Sequence, residues 1–425
     1  MKEKLAIIGT GIAGMGVAHL LQKHYDISLF EKNKYVGGHT NTVFVEENGI
    51  DIPIDTGFMV FNKETYPNLI NLFTELNVPI EKTSMSFSVQ HKLSNLEYCG
   101  SGFNGLFAQR KNLFNPAFIK MLLQINRFNK ESVQDLNCGF LKNQSIADYI
   151  SQKSYNSDFL EKYLLPMSSA IWSTPPNTSL QFPAESLVRF FLNHGMLGLD
   201  THFQWYTVQN GSESYKQRLI APFRDKIKTG VKIDTIKNTG DKIEIITAKN
   251  EHYFYDKVIV AAHANEALQM LSQPSQLQQD LLSKFQYQEN IATLHSDISV
   301  MPKNKKVWSS WNYLIDQKNG ENRATTIYNM NSLQNVSDKE NYFVSINPID
   351  LDENKIHKVL TYFHPIFTIE SLKAQKRLQE INQEGQIYFC GSYFGYGFHE
   401  DAYASAVQLS KQLLNQETNI QLKAG

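Results

Sequence analysis

Cysteine is scarce in this chain. Only Cys99, Cys138 and Cys390 occur among 425 residues, and no two are spaced C-x-x-C. A disulfide framework and a thiolate metal site are therefore not expected, and no histidine–carboxylate cluster has metal spacing either. An excess of one charge is also missing: 41 Lys and Arg face 42 Asp and Glu, for a formal net charge of −1. Binding to a phosphate backbone needs a basic surplus, so nucleic acid is excluded as a partner. No apolar run approaches the roughly 20 residues that span a bilayer. Internal repeats and low-complexity linkers are absent. Met1 to Lys4 run directly into an apolar segment, so no signal segment and a reduced, cytoplasmic setting are expected. The length suffices for two hydrophobic cores.

What is present begins at Leu5. Leu5 to Ile8 is an apolar run with the character of a buried parallel strand. Gly9, Gly11 and Gly14 follow as G-x-G-x-x-G at a strand-to-helix turn. The first glycine permits the turn, the second lets the backbone approach a pyrophosphate, and the third brings helix and strand together. A helix from Ile12 directs the free N–H groups of Ile12, Ala13 and their neighbours at the phosphates. A second strand, Ile27 to Phe30, ends in Glu31, placed to accept hydrogen bonds from a ribose 2′-hydroxyl. Strand, glycine turn, helix and terminal acid together predict a bound dinucleotide.

Gly100, Gly102 and Gly105 repeat the same spelling. The preceding Leu93 to Tyr98 reads as mixed and polar rather than as a buried strand, and no acid-terminated strand follows. A glycine loop is expected there, leaving one dinucleotide site and none for NADPH beside it.

Further on, Lys32 precedes Gly37-Gly38-His39-Thr40, where paired glycines let backbone amides lie against phosphate and ribose oxygens. Asp51 to Asp55 reads as a strand entering the turn Thr56-Gly57-Phe58. Lys257 to Val260 reads as a buried strand that ends in the small residues Ala261 and Ala262. Ile387 to Gly391 is another such strand, and a final helix opens at Phe398-His399-Glu400-Asp401. Val231 to Ile233 and Lys242 to Ile246 read as strands of a small antiparallel sheet, and Val231 is a candidate cofactor contact.

These pieces resemble the flavin-containing amine oxidase superfamily over nearly the whole chain. The phrases Asp55–Asn62, Ala170–Ser173, Trp308–Tyr313 and Gly397–Asp401 are most similar to a bacterial branch of predicted NAD/FAD-binding proteins. Members of that branch accompany cyclopropane-fatty-acid-synthase-like methyltransferases. The resemblance implies an α/β fold: a Rossmann-like, FAD-binding domain of the glutathione-reductase type (1–62, 205–270 and 370–425). A discontinuous α+β substrate domain (63–204 and 271–369) completes it. It implies FAD held by Gly9, Gly11, Ile12, Ala13, Gly14, Glu31, Lys32, Gly37, Gly38, His39, Thr40, Thr56, Gly57, Phe58, Val231, Ala261, Ala262, Gly391, Phe398 and His399. It also implies that the final helix points its N-terminus at the flavin pyrimidine.

Two departures weigh against an amine as substrate. His295 is read at the position of the superfamily's lysine, and Phe398 replaces one tyrosine of its aromatic pair. His295 and His399 are the catalytic candidates, because a histidine titrates near neutral pH. The leading expectation is oxidation, desaturation or isomerisation of an unsaturated or methyl-branched fatty acyl chain. An amine oxidase is one alternative, and a non-catalytic flavin-binding partner of a lipid methyltransferase is the other. Between Ser101 and Lys130 five basic residues and no acid interleave with five phenylalanines. That segment reads either as an ordinary helical face or as a surface for peripheral contact with the inner membrane face, where a lipid-like substrate would be met.

Overall fold

The fold was taken from a computed structural model, which describes residues 2–198, 203–347 and 349–424. Its centre is a five-stranded, fully parallel sheet. Across the sheet the strands run Ile227–Thr229, Asp26–Glu31, Lys4–Ile8, Lys257–Val260, Ile387–Phe389. Side chains alternate across a strand, and Lys4–Ile8 divides its apolar residues accordingly. Leu5 and Ile7 face a core shared with the first helix, Ile12–Leu21, and the final helix, His399–Ala424. Ala6 and Ile8 face a second core built with the antiparallel strands Ile233–Asn238, Ile243–Thr247 and His252–Tyr255. The chain leaves Lys4–Ile8 toward one neighbour and returns on its other side at Lys257–Val260. That reversal opens a crevice at the carboxyl ends of the central strands, where ligands bind in open α/β sheets.

Above the crevice stands a seven-stranded mixed sheet whose strands come from residues 87–99 and 286–366. Helices between residues 116 and 193 pack beside it around Phe128, Tyr149, Phe159 and Phe191. Among the described residues no helix is long and apolar enough to cross a membrane.

Two expectations need correction. Leu96–Cys99 is a fully buried strand at one end of the upper sheet. The sequence misleads because Glu97 sits inside, its carboxylate satisfied by the backbone amides of Lys303 and Asn304, each at 3.0 Å. The strand expected from Val231 starts at Ile233, and the short, largely exposed Ile227–Thr229 joins the parallel sheet instead. Trp205–Val208 pairs with Phe61–Asn62 and Ile80–Thr83 in a separate three-stranded sheet, and Trp205 and Val208 pack into the core of Leu5 and Ile7.

Candidate active site

The crevice widens into a cavity of about 1030 Å³ between the two sheets. Its lower end is made by the strand tips and the glycine turn. Gly9 has φ +100°, and a Cβ there would meet the carbonyl oxygen of Ala261 at 2.6 Å, so the turn closes tightly on the neighbouring strand. At Gly11 a Cβ would meet nothing within 4 Å. That open space lies at the N-terminus of the first helix, whose cap carries no side-chain hydrogen bond. Gly38, at φ +59°, adds a second piece of bare backbone facing it, where a Cβ would come within 3.2 Å of the Gly11 Cα. Two glycines thus line one cradle with helix amides at its back, the arrangement that receives phosphate. Glu31 is buried in the wall. Its carboxylate accepts from the Thr10 hydroxyl at 2.6 Å, the Thr10 amide at 3.1 Å and the Asn33 amide at 2.9 Å.

Ile12, Ala13, Lys32, His39, Gly57, Phe58, Val231, Ala261, Ala262, Gly391, Phe398 and His399 also line the cavity. Four residues expected to hold the cofactor stand one layer behind it. Gly14 lacks a side chain because the Gly9 carbonyl occupies that space. Gly37 closes a turn by accepting from the Thr40 amide at 3.0 Å. Thr40 meets Tyr215 and His399, and the Thr56 hydroxyl pairs with that of Tyr362 at 2.8 Å.

His399 forms part of the wall. Its ring stacks on Phe58 with centroids 3.9 Å apart and planes at 10°. Nε2 is tied to the Tyr215 hydroxyl at 2.8 Å and the Thr40 hydroxyl at 3.1 Å. Burial pushes its pKa down to about 3, so the ring is neutral near pH 7, with one nitrogen protonated and the other free to accept. The two acids beside it do not orient it. Glu400 caps another helix by accepting from the Asn68 and Leu69 amides, and Asp401 accepts from the Phe398 amide at 2.9 Å.

His295 is not a cavity residue, which corrects its assignment as a catalytic candidate. It belongs to the strand Gln286–His295, where alternation and a bulge after Leu294 turn its ring into the upper sheet. There Nε2 meets the Ser345 hydroxyl at 2.7 Å and Nδ1 accepts from the Asp297 amide at 3.1 Å. The same strand carries Asn290, fully buried, which donates to Nδ1 of the cavity residue His364 at 2.7 Å. The Asn290 oxygen accepts from Gln288 at 3.1 Å, so the amide is held with its NH₂ toward the ring. His364 therefore keeps its proton on Nε2, and burial lowers its pKa to about 4. His364 and Tyr362 lie on the partner strand Ile356–Ile366 and stack around His39, at 5.3 and 4.8 Å. Sequence reasoning did not single out His364 or Tyr362 as site residues. The signal available was the facing pair Gln288↔His364 and Asn290↔Tyr362, legible only once the register was known.

The upper end of the cavity is apolar. Trp172, Phe190 and Phe398 form a ring cluster with centroids 4.9 to 6.4 Å apart. Trp311 packs edge-on against Tyr328 at 5.3 Å, and Met59, Met85 and Ile171 fill the gaps. Among the described residues only three acids line the cavity, Glu31, Asp234 and Glu266. All three belong to the dinucleotide end: Glu31 ends a central strand, Asp234 follows the Val231 contact, and Glu266 pairs with Lys32 at 2.5 Å.

Residues 12–341 match the flavin containing amine oxidoreductase family. The chain belongs to this family. It is an FAD-dependent oxidoreductase, and the cradle fits that cofactor, since a Cβ on Gly11 would fill the space a pyrophosphate needs. Solved structures of the same fold include a putrescine oxidase bound to putrescine, with TM-score 0.67 and 13% identity over 98% of this chain and 99% of that one. A CLA-producing fatty acid isomerase from P. acnes gives TM-score 0.68 and 13% identity, covering 96% and 98% of the two chains. Cyclohexylamine oxidase from Brevibacterium oxydans IH-35A gives 0.67 and 14%, covering 97% and 100%. No curated protein matches the sequence. Within this family fold, bound FAD supplies a two-electron acceptor. Glu31 and the glycine cradle would hold it, and Phe58, His399 and the upper rings would wall the space beside it.

Proposed function

We propose that this oxidoreductase acts on an apolar, lipid-like substrate, by oxidation, desaturation or isomerisation of an unsaturated fatty acyl chain. The observation that carries the reading is the absence of any carboxylate from the upper end of the cavity among the described residues. A charged ammonium entering that space would lose its hydration, a cost of several kcal/mol even after relaxation. The rings of Trp172, Trp311 and Phe398 favour the second reading, an amine oxidase, because aromatic faces attract cations. That attraction returns only about 2 kcal/mol in a dry site. An acyl chain meets no such deficit, and methionine and aromatic side chains adapt to it. The likeness to the lipid-associated bacterial branch supports the same direction, whereas the fold is shared by proteins described as acting on amines and on fatty acids. The test is anaerobic. The FAD-loaded protein is mixed with a long unsaturated fatty acid or with putrescine, and flavin absorbance is followed while double-bond positions are read by mass spectrometry. Bleaching or a moved double bond with the fatty acid is expected. Bleaching by putrescine with an unchanged fatty acid would refute the proposal.

A further inference from the structure

Two segments far apart in sequence build one face of the molecule away from the cavity. The short helix Gly102–Leu106 and the turn Arg110–Phe114 lead into the long helix Pro116–Asn137. Three apolar side chains stand in water along them: Phe103 is 61% exposed, Phe114 88% and Leu123 65%. They are not frayed ends. Asn112 is buried, and the Asn115 side chain caps the long helix by accepting from the Ala117 and Phe118 amides. On that helix Pro116, Lys120 and Leu123 share an exposed stripe, while Phe118 and Met121 turn inward. The fold therefore presents Phe114 and Leu123 to solvent on ordered backbone.

Cations stand between them. Arg110, Lys111 and Lys120 are exposed, and Arg110 is steadied by the Asn104 side chain at 2.8 Å and the Phe107 carbonyl at 3.0 Å. A second basic segment joins from the other half of the chain. Asn304 donates to the Ala108 carbonyl at 3.2 Å, and the amides of Lys303 and Asn304 are clamped on buried Glu97. Lys303, Lys305 and Lys306 thereby sit beside the short helix, all exposed. Among the described residues none of these six cations is in an ion pair. The neighbouring acids are already engaged: Glu97 with those amides, Asp158 with Lys162, and Glu131 with Arg127.

The geometry points to docking of this face on an anionic lipid surface, with Phe103, Phe114 and Leu123 entering the headgroup layer and the six cations meeting lipid phosphates. A lipid surface suits the pattern better than a protein partner does. Protein interfaces gather apolar residues into one charge-depleted core with a polar rim, whereas here single apolar side chains alternate with cations. The inference does not depend on which substrate the cavity takes.

The experiment is co-sedimentation of the full FAD-loaded chain with phosphatidylcholine vesicles, with and without phosphatidylglycerol. Binding only to the anionic vesicles, lost in high salt, is expected. Charge reversal of Lys111→Glu with Lys305→Glu should lower partitioning more than about tenfold, since each basic residue contributes on the order of a fivefold factor at such a surface. Phe114→Ser with Leu123→Ser should lower it comparably at an unchanged melting temperature. Phe114→Trp supplies a direct reporter, whose emission should shift to the blue with anionic vesicles alone. Equal binding to neutral vesicles, or no binding with no shift, would overturn the proposal. Self-association in the absence of lipid, abolished by Phe114→Ser, would overturn it in favour of a second copy.

Discussion

Gly9 and Gly11 belong to one motif but answer to different forces, and alanine at each position separates them. Gly9 has φ +100°, where an L-residue is strained, and its added Cβ would press on the Ala261 carbonyl at 2.6 Å. Strain of about 1–3 kcal/mol and overpacking of about 1–3 kcal/mol make Gly9→Ala destabilising by roughly 2–6 kcal/mol. That is a large part of the 5–15 kcal/mol typical of a folded protein. Gly11 has φ −64° and an empty Cβ position. Gly11→Ala should therefore change stability by no more than about 0.5 kcal/mol. Its methyl would instead stand between the helix amides and the pyrophosphate. Losing hydrogen bonds to a charged group costs about 1.5–3 kcal/mol, or roughly ten- to hundredfold in FAD affinity. Urea denaturation of the apoprotein measures the first quantity, and titration with FAD by flavin fluorescence measures the second. Gly11→Ala with undiminished FAD affinity, or unfolding like Gly9→Ala, would refute the reasoning.

Three other substitutions are informative. Glu31→Ala should weaken FAD by roughly 1–3 kcal/mol, the scale of a lost charge-assisted hydrogen bond; an unchanged dissociation constant would remove Glu31 from the site. His399→Ala leaves the buried Tyr215 hydroxyl without its histidine partner and opens space beside Phe58, so a stability loss of about 2–4 kcal/mol is expected. Because the ring is already neutral, no ionisation near pH 6–7 should vanish from the pH–rate profile of the variant, and disappearance of one would return His399 to acid–base chemistry. For His295 the folded pKa of about 4 lies below the unfolded value of 6.5. Its stabilisation is thus complete above about pH 6.5 and is lost as pH falls toward about 4, roughly 2 kcal/mol of it between pH 7 and pH 5. His295→Gln should remove that share of acid sensitivity and spare turnover, as measured by urea melts at the two pH values; an unchanged melt difference or lost turnover would refute this.

The dinucleotide end was legible in the sequence because it is local. Lys4–Ile8, the glycine turn, the first helix and Asp26–Glu31 are consecutive, and each step is dictated by hydrophobic period, backbone freedom or a terminal charge. The family resemblance extended that reading to Gly38, Ala261, Gly391 and His399, all of which line the cavity. The upper end was less legible. Leu96–Cys99 escaped because a buried glutamate looks like a surface residue until its backbone donors, about 200 residues away in the chain, are known.

Composition and motif alone determined that this chain binds a dinucleotide, lacks a basic surplus for nucleic acid and carries an aromatic, basic stretch near residue 110. Tertiary structure decided which side chains work together. Strand pairing set His364 on Asn290 and withdrew His295 into the sheet, because a side chain's face depends on register and a single bulge reverses it. It laid Lys303 to Lys306 beside the short helix Gly102–Leu106, and it gathered the cavity's acids at one end so that the other is apolar. Those relations join residues tens to hundreds of positions apart, and only packing of the two sheets brings them within reach.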